Sequence, residues 1–327
     1  MRTPSIENQS ILIASCSVDA PTWEPVAAKL QTRGFDVVTF EADKVALQSL
    51  PFEVSVGDNG FEILYDQRKL CLDGVAAAWF RRPSFITNPR VDGATQMSLD
   101  MERRALQAAL WDSIPEEMWL NSPDQILRAE RKLSQLRQAH QLGFAIPSTA
   151  ITNDWDSIQN RLEQNVICKS SYSVFYDGGE YRLLYTTPFT NDPSELPLDL
   201  NPYPGIWQNA LKKSREWRIT VVGDETFDAA IYTHEDAKDD WRKHQLVPGY
   251  VDFKVEPFPT DLKEKCFAYL GRFGLRFGAF DFIEDAEGQM TFLECNPNGQ
   301  YMWLEHQLQL PISDAITSEL IKIARRP

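Results

Sequence analysis

A chain of 327 residues, 43% of them hydrophobic, can bury a large core, and its length favours two or three compact lobes over one. Its net charge of −14 disfavours nucleic acid and anionic membranes as partners, since both need a basic face, and makes any nucleotide site depend on local positive charge. Five cysteines without a CxxC pair argue against a zinc site or a disulfide framework, and no apolar run approaches the roughly 20 residues that cross a bilayer.

The first third of the chain alternates between strand and helix patterns. The N-terminal residues contain no hydrophobic signal core, so we expect a cytoplasmic protein. The patterns predict strands over 10–15, 34–40 and 74–80 and helices over 23–30 and 99–114. Because no glycine follows the first strand in 15–19, we reject a Rossmann dinucleotide site. Residues 1–120 are therefore predicted to form an N-terminal α/β lobe.

The middle of the chain opens with a long helix that carries Lys132. We predict that it runs from Asn121 to about Leu142, because Ser122 is a polar cap placed before a proline. Strands over 148–152 and 166–170, a helix over 156–164 and a hairpin turning at 177–179 should follow. We assign residues 121–205 to a central lobe.

Strands dominate the last part of the chain, and two helices close it. The patterns predict strands over 205–209, 216–222, 226–232, 280–284 and 291–296 and helices over 260–273 and 311–325. We assign residues 206–327 to a C-terminal lobe that carries the metal site. The expected fold class is therefore α/β (α+β).

Three oxygen-bearing side chains mark the last two predicted strands. Asp281 lies between two phenylalanines, and Glu294 and Asn296 are two residues apart, so alternation along neighbouring strands would turn all three to one space. Magnesium prefers hard oxygen donors, and it usually takes one or two carboxylates together with nucleotide phosphates. The pattern therefore predicts a magnesium–nucleotide site; a solvated hairpin is the alternative.

Positive and amide side chains on other predicted strands could complete such a site. Lys169 ends an apolar strand before a turn-rich hairpin, where an ammonium could bind phosphate or simply be solvated. Gln208 and Asn209 end a strand and could read an adenine edge. Arg218 could clamp a transferring phosphoryl group; an ion pair with Glu216 on the same face is the alternative.

The order of these pieces resembles the ATP-grasp superfamily. The likeness covers roughly residues 120–300, and its most specific element is Phe292-Leu293-Glu294-Cys295-Asn296-Pro297-Asn298-Gly299. It implies central and C-terminal lobes that clasp ATP. By that resemblance the nucleotide is bound by Lys132, Lys169, Gln208, Asn209 and Arg218, the catalytic pair is Arg218 and Lys169, and the metal ligands for Mg²⁺, two ions in all, are Asp281, Glu294 and Asn296.

Within that superfamily the chain looks like the graspetide, or microviridin-type, ligases. The segment 296–305 and the strand end at 79–83 carry this likeness. Such enzymes activate Asp or Glu side chains of a ribosomal precursor peptide as acyl phosphates and join them to Ser/Thr hydroxyls or Lys amines. Two other functions stay open: an ATP-grasp ligase that adds an amino acid to a small molecule or protein tail, and a non-catalytic nucleotide-binding regulator.

The family implies a precursor peptide as partner, with a leader and an acidic, hydroxyl-rich core. Candidate substrate contacts are Arg81, Arg82 and Asn298, although the two arginines could equally pair with internal acids. Leader recognition could involve segment 190–199 or segment 235–241. We expect no nucleic acid or membrane partner, and we include a homodimer among the expected assemblies.

Overall fold

The computed structural model describes residues 10–46, 52–57, 60–83, 93–162, 165–169, 174–177, 180–183, 187–190, 205–234 and 247–326. Within these ranges, no helix combines the length and the apolar character that a bilayer crossing requires. The described parts mix α-helices with several β-sheets, which confirms the α/β (α+β) fold class expected from the sequence.

The first region pairs a parallel sheet with an antiparallel meander. Its elements are β1 (Ser10–Ser15), α1 (Ala20–Thr32), β2 (Asp36–Glu41), α2 (Ala42–Ala46), β3 (Phe52–Gly57), β4 (Gly60–Tyr65), β5 (Arg68–Cys71), β6 (Val75–Phe80) and α3 (Gly93–Asp112). The parallel sheet has the order β2-β1-β6, and the meander has the order β3-β4-β5. The predicted strands and helices of this region are present, whereas the meander and α2 were not predicted.

The second region is built on a four-stranded sheet. Its elements are α4 (Pro123–Ala129), α5 (Lys132–Gln141), β7 (Thr149–Thr152), α6 (Trp155–Arg161), β8 (Asn165–Lys169), β9 (Val174–Asp177), β10 (Glu180–Leu183), β11 (Thr187–Thr190) and β12 (Gly205–Asn209). The sheet has the order β11-β8-β12-β7, and β9 pairs with β10 as the predicted hairpin.

The single long helix predicted from Asn121 to Leu142 is wrong, because the segment forms α4 and α5. Ser122 caps α4 in a full capping box with Gln125, as the polar cap indicated. The helix is interrupted at Arg131, whose backbone is extended (φ −69°, ψ 104°). The buried side chain of Gln135 donates to the carbonyl of Ala129 at 2.7 Å, and this bond satisfies a carbonyl at the end of α4.

The third region is a five-stranded antiparallel sheet with helices around it. Its elements are β13 (Arg215–Val222), β14 (Glu225–Thr233), β15 (Val251–Val255), α7 (Thr260–Phe273), β16 (Phe277–Glu284), β17 (Met290–Asn296), α8 (Met302–Leu308) and α9 (Ile312–Ala324). The strand order is β15-β14-β13-β16-β17, so β15 and β17 are the edges. Helix α9 returns to the first region and packs against α1 and β6, joining the two ends of the chain in one core.

All five cysteines are free, as the sequence predicted. Cys16, Cys266 and Cys295 are buried, whereas Cys71 and Cys168 are only half-buried. Burial raises the pKa of Cys168 to about 11, which keeps its thiol protonated at neutral pH.

Candidate active site

The three predicted metal ligands meet on β16 and β17. Asp281 stands directly opposite Glu294 in the register of these two strands. The Asn296 amide donates to Asp281 Oδ2 at 3.1 Å and to Glu294 Oε1 at 3.3 Å. All three side chains are half-buried. The structure thus brings the trio together, and its role in binding metal stays a prediction.

A β-bulge sets the direction of Glu294. The pairing shifts after Asp281, so that Phe282 faces Phe292 and Leu293 is the extra residue on β17. A bulge redirects the side chains that follow it. Phe292 is fully buried in the apolar core, whereas Glu294 turns towards Asp281. Simple alternation also predicts one face for the trio, but it does not reveal this bulge.

The opposite face of the same two strands is an aromatic core. Phe280, Phe282 and Phe292 have exposures of 0, 1 and 0%, and they pack with Phe144 and Tyr269. Burial of large aromatic groups on this side anchors both strands. The carboxylates of the trio therefore project from a rigid sheet.

Arg218 of β13 faces the trio from the neighbouring strand. It stands opposite Asp281 in register, and its Nε lies 2.8 Å from Asp281 Oδ1. The alternative ion pair between Glu216 and Arg218 is not the arrangement in the structure, because Glu216 pairs with Lys213 instead. Arg218 is thus placed beside the carboxylate of Asp281, at the edge of the predicted metal site.

A cavity beside the trio is lined by three of the predicted nucleotide residues and by one predicted metal ligand. Lys132, Lys169, Gln208 and Glu294 line it together with Gln135, Leu136, Ile206 and Leu293. Glu294 is therefore shared between the cavity and the predicted metal site. Asn209, the last residue of β12, is half-buried and does not line this cavity.

Gln208 has an unused acceptor at this cavity. The side chain is 2% exposed, and its Nε2 donates to Thr149 Oγ1 at 3.0 Å. Its Oε1 has no hydrogen-bond partner among the described residues. A buried amide oxygen without a partner costs free energy, so this atom fits a site for a hydrogen-bond donor from a ligand.

Gln135 fixes helix α5, which begins at Lys132, to strand β17, which carries Glu294 and Asn296. Sequence reasoning missed this residue. Besides its bond to Ala129, its Nε2 donates to the Cys295 carbonyl at 2.9 Å, and its Oε1 accepts from the Cys295 N–H at 2.9 Å. These bonds occupy the free edge of β17 between Glu294 and Asn296. The sequence offered one signal for Gln135: it is a polar residue on the same helical stripe as the apolar Leu136 and Ala139.

Arg81 lies inside the protein and is paired with an internal acid, which was the alternative to a substrate contact. It is 1% exposed, and its Nε lies 2.7 Å from Asp19 Oδ2. Burial lowers the pKa of Arg81, and the charge of Asp19 opposes that shift. Its other nitrogens donate to the Asn298 carbonyl at 2.9 Å and to Gln300 Oε1 at 2.7 Å. Arg81 therefore ties β6 to the loop that follows Asn296.

Asn298 and Arg82 have different surroundings. Asn298 belongs to the Arg81 network, and its amide donates to the Phe80 carbonyl at 3.1 Å. Gly299 follows in a tight space, since a Cβ there would lie 2.6 Å from the Cβ of Ala279. Arg82 is exposed and adopts a left-handed backbone (φ 50°), which is uncommon for a large side chain. Substrate roles for all three candidates stay predictions.

The two segments considered for leader recognition, 190–199 and 235–241, lie outside the described residues, apart from Thr190 at the end of β11. The same holds for the turn at 178–179.

Comparison with known proteins points to one group. A family model described as the MvdD pre-ATP grasp domain matches residues 10–127. No curated protein matches the sequence.

Three solved structures resemble the chain over nearly its whole length. A Chryseobacterium gregarium RiPP-associated ATP-grasp ligase, in complex with ADP and a leader and core peptide, is 24% identical with a TM-score of 0.82, covering 98% of each chain. The macrocyclase MdnC from Microcystis aeruginosa MRC, bound with precursor peptide MdnA, is 26% identical with a TM-score of 0.81, covering 95% of this chain and 99% of that one. The ATP-grasp ligase PsnB, with a precursor variant, Mg and ADP, is 21% identical with a TM-score of 0.70, covering 97% and 99%.

The family match and these structures confirm the resemblance drawn from the sequence. The chain has the ATP-grasp fold, and the family match and the structural likenesses support an ATP-dependent ligase of the graspetide type.

Proposed function

We propose that this ligase uses ATP and magnesium to activate Asp or Glu side chains of a ribosomal precursor peptide and to join them to Ser/Thr hydroxyls or Lys amines within that peptide. The observation that carries the proposal is that Glu294 belongs both to the cavity with two lysines and to the trio with Asp281 and Asn296. A nucleotide in that cavity would have its phosphates at the metal ligands.

The cavity that Lys132 and Lys169 line suits the nucleotide. The ammonium groups of Lys132 and Lys169 supply the local positive charge that phosphates need in a protein with a net charge of −14. The free Oε1 of Gln208 is an acceptor for the amino group of adenine. Asn209 stays a predicted hinge residue through its place next to Gln208 at the end of β12.

The trio suits magnesium by the chemistry of its donors. Asp281 and Glu294 offer carboxylate oxygens, and Asn296, whose Nδ2 donates to both of them in the structure, would offer its amide oxygen once the amide turns over; all are hard ligands. We propose two ions, because two carboxylates and an amide provide more oxygen than one magnesium usually takes from protein. When bound, magnesium would offset the negative charge of the nucleotide phosphates.

A carboxylate is a poor electrophile, so the reaction must first convert it into an acyl phosphate. A carboxylate oxygen of the peptide attacks the γ-phosphorus of ATP, and the bond to the leaving oxygen of ADP breaks. The acyl phosphate then reacts with a hydroxyl or amine, phosphate leaves, and the incoming group loses its proton. We assign Arg218, whose guanidinium pairs with Asp281, the role of stabilising the charge on the transferring phosphoryl group, and Lys169, which lines the cavity, that of holding the phosphates.

The match of residues 10–127 to the MvdD pre-ATP grasp domain favours a peptide substrate over the addition of an amino acid to a small molecule. The relatives' complexes with leader, core and precursor peptides support the same choice. We also propose a cytoplasmic location. Homodimer formation stays a prediction that sedimentation velocity would test.

Mass spectrometry tests the function directly. The candidate precursor is a short peptide encoded beside this gene that has a Thr/Ser-rich and Asp/Glu-rich tail. Incubated with the enzyme, ATP and Mg²⁺, it should lose the mass of one water for each ring formed, and AMPPNP in place of ATP should prevent that loss. ATP consumption with no change in peptide mass, or mass loss without ATP, would refute the proposed function.

A further inference from the structure

One aromatic ring lies beside Arg218, and a second ring packs on the first. The centroid of the Trp303 ring is 6.0 Å from Arg218 Cζ, within the range of a cation–π contact. Phe253 of β15 packs on Trp303 with ring centroids 4.8 Å apart at an angle of 55°. Both side chains are only partly buried. We call Trp303 and Phe253 the aromatic wall.

A line of contacts leads from the nucleotide cavity to this wall. Glu294 lines the cavity, Asn296 joins Glu294 to Asp281, and Asp281 pairs with Arg218. Arg218 in turn contacts the Trp303 ring. With the nucleotide among the lysines and its phosphates at the trio, the wall is connected to the phosphate site through Asp281 and Arg218.

The wall is held in place by buried neighbours. Trp303 is in the first turn of α8, between Met302 and Leu304, both of which belong to the core that α1 and α9 share. Tyr301, just before the helix, is 0% exposed and donates to the Thr22 carbonyl at 3.0 Å. A ring fixed in this way loses little conformational entropy when it binds a ligand.

We infer that the aromatic wall forms the subsite for the peptide segment whose carboxylate is phosphorylated. The inference rests on the proposed function and deepens it. The Trp303 face packs against the methylene groups and backbone of the acidic residue, while Arg218 faces its carboxylate. The ring also excludes water, so the acyl phosphate reacts with the peptide hydroxyl or amine before it is hydrolysed.

The test compares Trp303→Leu, Trp303→Phe and a matched tryptophan. Trp217→Phe is the control, because Trp217 lies on the other face of the same sheet, with Arg215 Cζ 4.7 Å from its ring. For each protein, the KM of the candidate precursor, the Kd of ATP and the ratio of phosphate released to rings formed are measured. Wild-type turnover is established first, so a failure of the proposed function is recognised before any variant is made.

The aromatic wall predicts a selective result. Trp303→Leu should raise the peptide KM about tenfold or more and raise the phosphate-to-ring ratio, with the Kd of ATP within about twofold. Trp303→Phe should recover most of the loss, and Trp217→Phe should change neither quantity. If Trp303→Leu leaves the peptide KM and the ratio unchanged, or weakens ATP and peptide equally, the inference is overturned while the proposed function stands.

Discussion

Two arginines three residues apart on β13 show how one sheet separates stability from chemistry. Arg215 is on the face that packs against the aromatic core, and Arg218 faces the trio. The Arg215 guanidinium binds Glu284 through two nitrogens at 2.6 and 3.1 Å, binds Glu256 at 2.6 Å, and lies over the Trp217 ring. An arginine bound on so many sides is structural.

Arg218 has fewer partners among the described residues than Arg215, and its ion-pair partner is a predicted metal ligand. Its Nε pairs with Asp281, which stands opposite a second carboxylate, Glu294. Two neighbouring carboxylates are typical ligands of a hard cation. The same residue type therefore stabilises the fold on one face and, in our proposal, serves phosphoryl transfer on the other.

The largest expected difference between the faces concerns two glutamates. Glu294→Gln removes a metal-binding charge from the trio and should lower ATP-dependent ring formation by about 10³-fold or more, with the fold intact. Glu284→Gln, the matched control on β16, should keep activity within about threefold and lower stability. Precursor turnover and thermal unfolding check both. Normal turnover by Glu294→Gln would disprove the metal assignment.

Substitution of the two arginines should also affect activity on one face and stability on the other, but with a smaller loss of activity than for Glu294. Arg218→Met should reduce kcat about 10²-fold, because a donor to the transferring phosphoryl group is lost. Arg215→Met should leave kcat nearly unchanged and reduce the free energy of unfolding by about 1.5–3 kcal/mol, because charged hydrogen bonds are lost. Denaturant unfolding and steady-state kinetics separate the two effects. Equal kinetic losses in both variants would contradict the division of the sheet into two faces.

The smallest effect is a pH dependence of stability on the structural face. Burial tends to raise the pKa of Glu284, but hydrogen bonds from Arg215 and Trp217 outweigh it and lower the pKa below its ordinary value of about 4.5. A lowered folded-state pKa gives stabilisation that is complete above the unfolded-state value and is lost as pH falls through the folded-state value. The stability difference between wild type and Glu284→Gln should therefore be constant near neutrality and shrink below about pH 4.5. A difference that grows on acidification would rule out this pairing.

Much of the fold was predictable because hydrophobic period and turn signals agree. The strand over 10–15 and the cap at Ser122 are local features, and the structure has both. The meander over 52–71 was missed although Asn59-Gly60 is a hairpin signal in the sequence. Its second turn carries no such signal, because Asp66 and Gln67 adopt φ of 47° and 62° without a glycine.

The site was only partly predictable because several of its contacts join distant parts of the chain. The spacing of Asp281, Glu294 and Asn296 shows in the sequence. The role of Gln135 depends on α5 lying against β17, 160 residues away along the chain. The burial of Arg81 depends in the same way on the loop at 298–300.

The most direct test of the central claim is a crystal structure with AMPPNP and Mn²⁺ as an anomalous scatterer in place of Mg²⁺. Our account predicts anomalous density between the carboxylates of Asp281 and Glu294, at ligand distances of about 2.0–2.3 Å, with the nucleotide next to Lys132 and Lys169. A metal-bound nucleotide at any other place, with Asp281 and Glu294 making no contact to it, would contradict the account.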